Sequence, residues 1–402
     1  MNLDTCTQEF ADLTRHLEGL QCDGNPVVMF RNPLGLQNWT FPAIEALLVV
    51  GALACLVHAV RWYRARGDAS NLVVWVSLVS ALILIEPVTY FPQWFGLDDK
   101  NLMGLTFAHG QFSVQFLFDR LPLYIVAMYP MFGYVAYALV QRTGILQARR
   151  PFVGSVAVAF TFFALFEVID TVGPQWGWWV WNRDPELKSS DPALGPIPYM
   201  SLQLFSMALP FAVAYMTMRL NRIPHRGGWF IVRDVVLVSV LVWPVWLVTL
   251  LPDTVLSFAG TWVGMSTHDA THVARLLVSW FMIGMGLVVT GWAFWTAYRA
   301  RGVSADAVPS GVAQDYFVLV CGVVYLAFGL AFWIPALPEH FRVGVGGVTS
   351  TGQQSGSLLF GAAAWLCSAA LLLGAYLRNG LGSSVVTAAS RSGGRVVVRE
   401  SS

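Results

Sequence analysis

Residues 152–172 read FVGSVAVAFTFFALFEVIDTV, 21 residues in which Glu167 and Asp170 are the only charged side chains. An apolar run of about 20 residues is what a helix needs to cross a hydrocarbon core about 30 Å thick. Runs of the same kind recur at 42–60, 72–95, 122–140, 199–218, 229–251, 277–298, 316–337 and 357–377, which with 152–172 makes nine candidate spans. Gly, Pro and the charged residues gather between them, where the backbone leaves the hydrocarbon. The whole chain agrees. Of 402 residues 56% are hydrophobic and 12% charged, about half of the ~25% with which a soluble domain covers its surface. Mean hydropathy is +0.59. The expected fold class is an all-α, polytopic transmembrane helix bundle over 42–378. It is preceded by an extracytoplasmic segment, 1–41, and followed by a disordered basic cytoplasmic tail, 379–402.

Orientation follows from the loop arginines, which concentrate on the cytoplasmic side of a membrane protein. Clusters at Arg61–Arg66, Arg142–Arg150, Arg219–Arg226, Arg299–Arg301 and Arg378–Arg399 all fall on one side of the nine spans. That side is expected to be cytoplasmic, with the N-terminus outside and the chain in a bacterial plasma membrane. A formal net charge of +1 without a basic stripe argues against nucleic acid as a partner. The five Cys include no Cys-x-x-Cys pair, which excludes a zinc ribbon or a disulfide scaffold. Cys6 and Cys22 share the outer side, where they could pair or stay free. No phosphate-binding glycine loop, nucleophile elbow or haem-binding pair is present, and no cofactor is expected.

Two segments echo each other. One reads Glu86-Pro-Val-Thr-Tyr90-Phe-Pro-Gln-Trp94-Phe-Gly96, the other Glu167-Val-Ile-Asp170-Thr-Val-Gly-Pro-Gln-Trp176-Gly177. Each places a Glu six or seven residues before Pro-Gln-Trp, near the outer end of an outward-running span. At 1.5 Å rise per residue the two carboxyls sit at similar depth, and Asp170 shares a helical face with Glu167. A carboxylate there costs about 2.5–3.5 kcal/mol. Either it is a neutral, hydrogen-bonded acid that holds helices together, or it has a chemical task. Low dielectric favours the neutral form of one acid, while a neighbour that keeps its charge acts as base. The candidate catalytic residues are therefore Glu86 and Glu167 as acid and base, with Asp170 auxiliary. The loops beyond them supply candidate substrate-binding residues: Tyr90, Trp94, Asn101 and His109 after the first motif, and Trp176, Trp178, Trp179, Asn182 and Gln203 after the second. Their aromatic faces suit an apolar pocket and developing positive charge. His268 and His272 stand at i and i+4, a spacing that metal sites use. With no acid in a third-ligand position they are expected to cap a helix, and no metal is expected.

Leu84-Ile85-Glu86-Pro87-Val88-Thr89-Tyr90, the loop with Asn101, Phe107 and His109, then Pro122, Tyr129-Pro130 and Phe166-Glu167 with its aromatic continuation to Pro198, resemble the AveC spirocyclase family over residues 70–220. The resemblance implies a polytopic, cofactor-free protein that forms or dehydrates a spiroketal on a polyketide. Asp170, Pro174, Gly177-Trp178-Trp179 and Gly195-Pro196-Ile197-Pro198 resemble membrane carotenoid hydratases and cyclases, which implies protonation of an isoprenoid in a membrane pocket. The function expected is acid–base cyclisation or dehydration of a lipophilic polyketide or isoprenoid, with that small molecule and membrane lipid as partners. The competing expectation is a proton-coupled transporter or a lipid-binding accessory protein, in which the same carboxyls carry a proton or hold a substrate amine.

Overall fold

A computed structural model describes residues 4–17, 20, 24–100, 103–146, 150–220, 227–300 and 315–376. Asn101, Cys22 and the tail 379–402 lie outside the described residues. Among those described, nine helices are long and apolar enough to cross a membrane. In chain order they are span 1 Thr40–Arg66, span 2 Ser70–Tyr90, span 3 Leu123–Arg142, span 4 Pro151–Trp176, span 5 Tyr199–Leu220, span 6 Gly228–Trp262, span 7 Thr267–Ala297, span 8 Phe317–Val343 and span 9 Leu358–Tyr376. The chain is an all-α polytopic bundle.

Burial sorts the spans into two kinds. In the most apolar window of spans 3 and 4, 89% of residues are buried inside the protein, against 22% in span 6. Spans 3 and 4 therefore form the centre. Small residues let neighbours approach it: a Cβ at Gly133 would meet Leu78 Cδ1 at 2.4 Å. The outer ring shows apolar side chains such as Val50, Val236, Phe281, Ile334 and Leu366 on its exposed face. Exposed Leu and Phe in such density suit lipid rather than water.

Hydropathy alone shortens two elements. Span 6 is expected to stop at 251, but after Val248 the chain re-forms a helix, Leu251–Trp262, that includes the buried Asp253. Span 7 begins at Thr267 rather than 277, so His268 and His272 stand on its first turns and not in a loop. Helix resumes after a two-residue turn in the first case and runs unbroken through the polar first turns in the second, and hydropathy marks neither. Span 5 departs from regular geometry as well. Residues Leu202–Ala208 form a π-helix, with the Leu209 N–H bonded to the Leu204 carbonyl five residues back. Pro210 offers no N–H to the Ser206 carbonyl and its ring crowds that carbonyl, so a wider turn forms just before it.

The connections before span 1 and between spans 2–3 and 4–5 gather at one end. There Phe107–His109 pairs antiparallel with Trp179–Trp181, in the register Phe107 to Trp181, Ala108 to Val180 and His109 to Trp179. Alternation sends Ala108 and Val180 to one face, where they pack with Phe10 of the short helix Gln8–Thr14. Phe107, His109, Trp179 and Trp181 take the other face, toward the bundle. Cys6, in the segment before that helix, is disulfide-bonded. At the opposite end His58 bonds to Tyr134 Oη and Asp315 Oδ2, each at 2.5 Å.

Candidate active site

The inward face of that two-stranded ribbon roofs a cavity of about 40 Å³. Glu86 reaches it from span 2, Ile125, Met128 and Tyr129 from span 3, Phe166 and Asp170 from span 4, and Ser201 and Phe205 from span 5. Phe107, His109, Trp179 and Trp181 close the top. Two acids from different spans thus face one aromatic chamber. Glu86 is 2% exposed and Asp170 1%, so neither can use bulk water as its hydrogen-bond partner.

The polar atoms around the chamber are under-satisfied. Asp170 Oδ2, His109 Nε2 and the indole N–H groups of Trp179 and Trp181 are buried with no hydrogen-bond partner among the described residues. A buried polar group left so costs about 1–3 kcal/mol, so four around one cavity call for an explanation. Glu86 has local help only, accepting from Thr89 Oγ1 at 3.3 Å with Tyr90 one turn further on. His109 Nδ1 lies 3.0 Å from Tyr124 Oη. Burial pushes the imidazole down from its ordinary value near 6.5 to about 3. The ring is neutral at physiological pH and offers one donor and one acceptor nitrogen.

Glu45 shows what a purely structural acid looks like at this end. Also buried, it accepts the backbone N–H groups of Ser113 at 3.2 Å and Val114 at 3.3 Å, tying span 1 to the 2–3 connection. Glu167 falls between the two cases. One oxygen accepts from Ser206 Oγ of the π-helix at 2.8 Å, the other has no partner among the described residues, and the residue is not part of the chamber lining.

The residues singled out from the sequence are distributed as follows. Glu86, Asp170, His109 and Trp179 line the chamber. Tyr90 borders it, its ring edge-on to Phe107 and His109 at 5.6 and 5.7 Å. Trp94 stacks on Phe91 at 4.0 Å. Trp176 donates to the Phe332 carbonyl at 3.1 Å, and Trp178 donates to Thr40 Oγ1 at 2.8 Å. Asn182 bonds Glu9 and the Leu105 carbonyl, and lines a separate outer cleft of about 680 Å³. Gln203 turns to the far side of span 5, toward Asp253 and Ser279. Phe107, Trp181, Ser201 and Phe205, with Ile125, Met128, Tyr129 and Phe166 of the spans, complete the lining without having been among the candidate site residues; the alternation in Trp179-Val180-Trp181 was the available signal for one of them.

A second cluster lies elsewhere at the same end. The ligand-type atoms of Asp191, His268 and His272 all fall within 4.8 Å of one another. Asp191, the third residue, comes from the 4–5 connection and could not be paired with the histidines by spacing. No protein-family model, curated protein or solved structure matches the chain.

Proposed function

We propose that the protein is a membrane-embedded enzyme that cyclises or dehydrates an oxygenated lipophilic substrate by acid–base catalysis, with Glu86 and Asp170 as the working pair. The observation that carries this is the convergence of two buried carboxyls from spans 2 and 4 on one aromatic chamber. In a dehydration one carboxylic acid protonates the departing hydroxyl, which leaves as water, and the other carboxylate takes the proton from the adjacent carbon. In a cyclisation the acid protonates a carbonyl while the carboxylate removes the proton of the attacking hydroxyl. The unpartnered indole N–H groups of Trp179 and Trp181 favour a substrate with an oxygen acceptor, because an indole nitrogen only donates. The surrounding rings exclude water and stabilise positive charge that develops on the substrate. Glu167 becomes a positioning residue that holds the π-helix through Ser206.

A cavity of about 40 Å³ has room for roughly three waters, at 10–15 Å³ each. On this reading only the reacting segment of a flexible substrate enters, and the aromatic walls part to admit it. The same small volume favours a second reading, in which Glu86 and Asp170 pass protons to a few ordered waters in a proton-coupled transporter.

The test is metabolite profiling of the native strain with the gene deleted and restored as wild type, Glu86→Gln or Asp170→Asn. The enzyme account expects a lipophilic precursor to accumulate that is isomeric with the missing product or heavier by one water. Restoration of the product by both variants would refute it. An unchanged lipid-soluble metabolome, together with proton uptake by proteoliposomes that Glu86→Gln abolishes, would establish the transporter.

A further inference from the structure

The first turns of span 7 lie beside the segment that leads into span 5. His268 and His272 are one turn apart and share a helical face. The Asp191 carboxylate meets them there, with Oδ2 2.7 Å from His272 Nδ1 and 3.7 Å from His268 Nε2. An ordinary ion pair needs one imidazole. Two imidazoles converging on one carboxylate oxygen is an arrangement of ligands, and capping does not account for it. That role is filled by Ser266 and Asp269: Ser266 Oγ bonds Asp269 Oδ2 at 2.6 Å and receives the Asp269 N–H at 3.1 Å.

We infer that Asp191, His268 and His272 bind one divalent transition-metal ion of the zinc class, with water completing its coordination. Two imidazole nitrogens and one carboxylate oxygen are the donor set of three-ligand zinc sites, which keep a fourth position open. Tetrahedral coordination at about 2.0–2.1 Å puts donors roughly 3.3 Å apart. The widest separation here, within 4.8 Å, closes by side-chain rotation, which is free because His268 is 62% exposed and His272 39%. Asp191 is the member whose backbone is held. Its backbone carbonyl accepts from Arg275 Nη1 at 2.8 Å, the same nitrogen bonds the Lys188 carbonyl, and Asp253 holds the guanidinium from behind at 3.3 Å. Arg275 and Arg183 are the cations whose charge reaches Asp191, and the ion competes with them for its anionic charge. Bound there, the ion clips the 4–5 connection to span 7, ten residues before Ser201 enters the chamber wall. This inference does not depend on the proposed reaction.

Full-length protein, purified without a histidine tag and stripped with chelator, is titrated with Zn²⁺ by calorimetry and with Co²⁺ by visible absorption. The expected result is one ion per chain, a Co²⁺ spectrum of tetrahedral type and a melting temperature that rises with Zn²⁺. Asp191→Asn and His272→Ala should weaken Zn²⁺ binding by more than the roughly 10–100-fold that loss of an outer supporting partner causes. His268→Ala, at the most exposed position, keeps the test valid should either of those fail to fold, and His16→Gln should bind as wild type. Absence of stoichiometric Zn²⁺ binding by the wild type, or wild-type affinity in a folded His268→Ala/His272→Ala protein, would overturn the inference.

Discussion

After Glu86, span 2 runs one further turn to Tyr90 and tightens into the 3-10 turn Pro92–Phe95, closed by Gly96 at φ +69°. After Glu167, span 4 runs to Asp170 and re-forms as the short helix Gly173–Trp176, closed by Gly177 at φ +77°. The shared Pro-Gln-Trp does the same work in both: Pro starts a turn, a left-handed Gly ends it, and Gln donates across to another segment. Gln93 reaches the Asp4 carbonyl and Gln175 the Ala336 carbonyl. The acids upstream do not correspond. Glu86 faces the chamber, whereas Glu167 turns to Ser206, and Asp170 takes the chamber position in the second segment. Three residues advance a helix by 300°, which is enough to exchange a chamber lining for a helix–helix contact. The repeat is a repeated helix ending, and the chemistry around it is asymmetric.

The largest expected effect separates Asp170 from Glu167. Glu86→Gln and Asp170→Asn should each fold, insert and lose product formation by roughly 10²-fold or more, as removal of a general acid or base does. Glu167→Gln should stay within about tenfold of wild type, because an amide oxygen still accepts from Ser206. Turnover per monodisperse molecule measures both. Loss in Glu167→Gln equal to that in Asp170→Asn would restore the symmetric pairing expected from sequence.

Next is the histidine opposite Trp179. His109 is held near 3 by burial, against an ordinary value near 6.5. A lowered value in the folded state means the unfolded chain takes up the proton first. Stability is therefore full above about pH 6.5 and falls toward pH 3, by at most about 1.4 kcal/mol per pH unit. Thermal unfolding between pH 7 and 4 should show a shallower slope in His109→Gln than in wild type. Equal slopes would mean the imidazole is not buried as described.

The tryptophans give a smaller contrast. Trp179→Phe and Trp181→Phe remove an unpartnered N–H beside the chamber, and should lower turnover without lowering the melting temperature. Trp178→Phe removes a satisfied bond to Thr40 and should cost about 1 kcal/mol of stability with turnover kept. Smallest are the turn glycines. Gly96→Ala meets only left-handed strain, about 1 kcal/mol, since no atom lies within 4 Å of its new Cβ. Gly177→Ala should cost slightly more, because Gln353 stands 3.3 Å away. Equal melting temperatures in wild type and both variants would show that the turns do not hold the helix ends.

All nine spans were legible in the sequence because 20-residue apolar runs have one physical explanation. Glu86 and Asp170 were legible because acids are costly at that depth. Which acids meet was not, since Glu167 and Asp170 differ by a fraction of a turn that hydropathy cannot resolve. The pairing of the roof was not legible for another reason: Phe107–His109 and Trp179–Trp181 are three-residue strands, too short for alternation alone to say that they pair. The π-helix that brings Ser206 to Glu167 depends on Pro210, and a proline alone does not say whether a helix bends, breaks or widens.

The central claim is that Glu86 and Asp170 act as one unit across the chamber, and a double-substitution cycle tests it most directly. Turnover of the product identified by profiling is measured per monodisperse molecule for wild type, Glu86→Gln, Asp170→Asn and the double variant. The account predicts a double variant scarcely worse than the poorer single, because residues that act as a unit are not additive. Multiplied losses in the double variant, or turnover retained in either single, would contradict it.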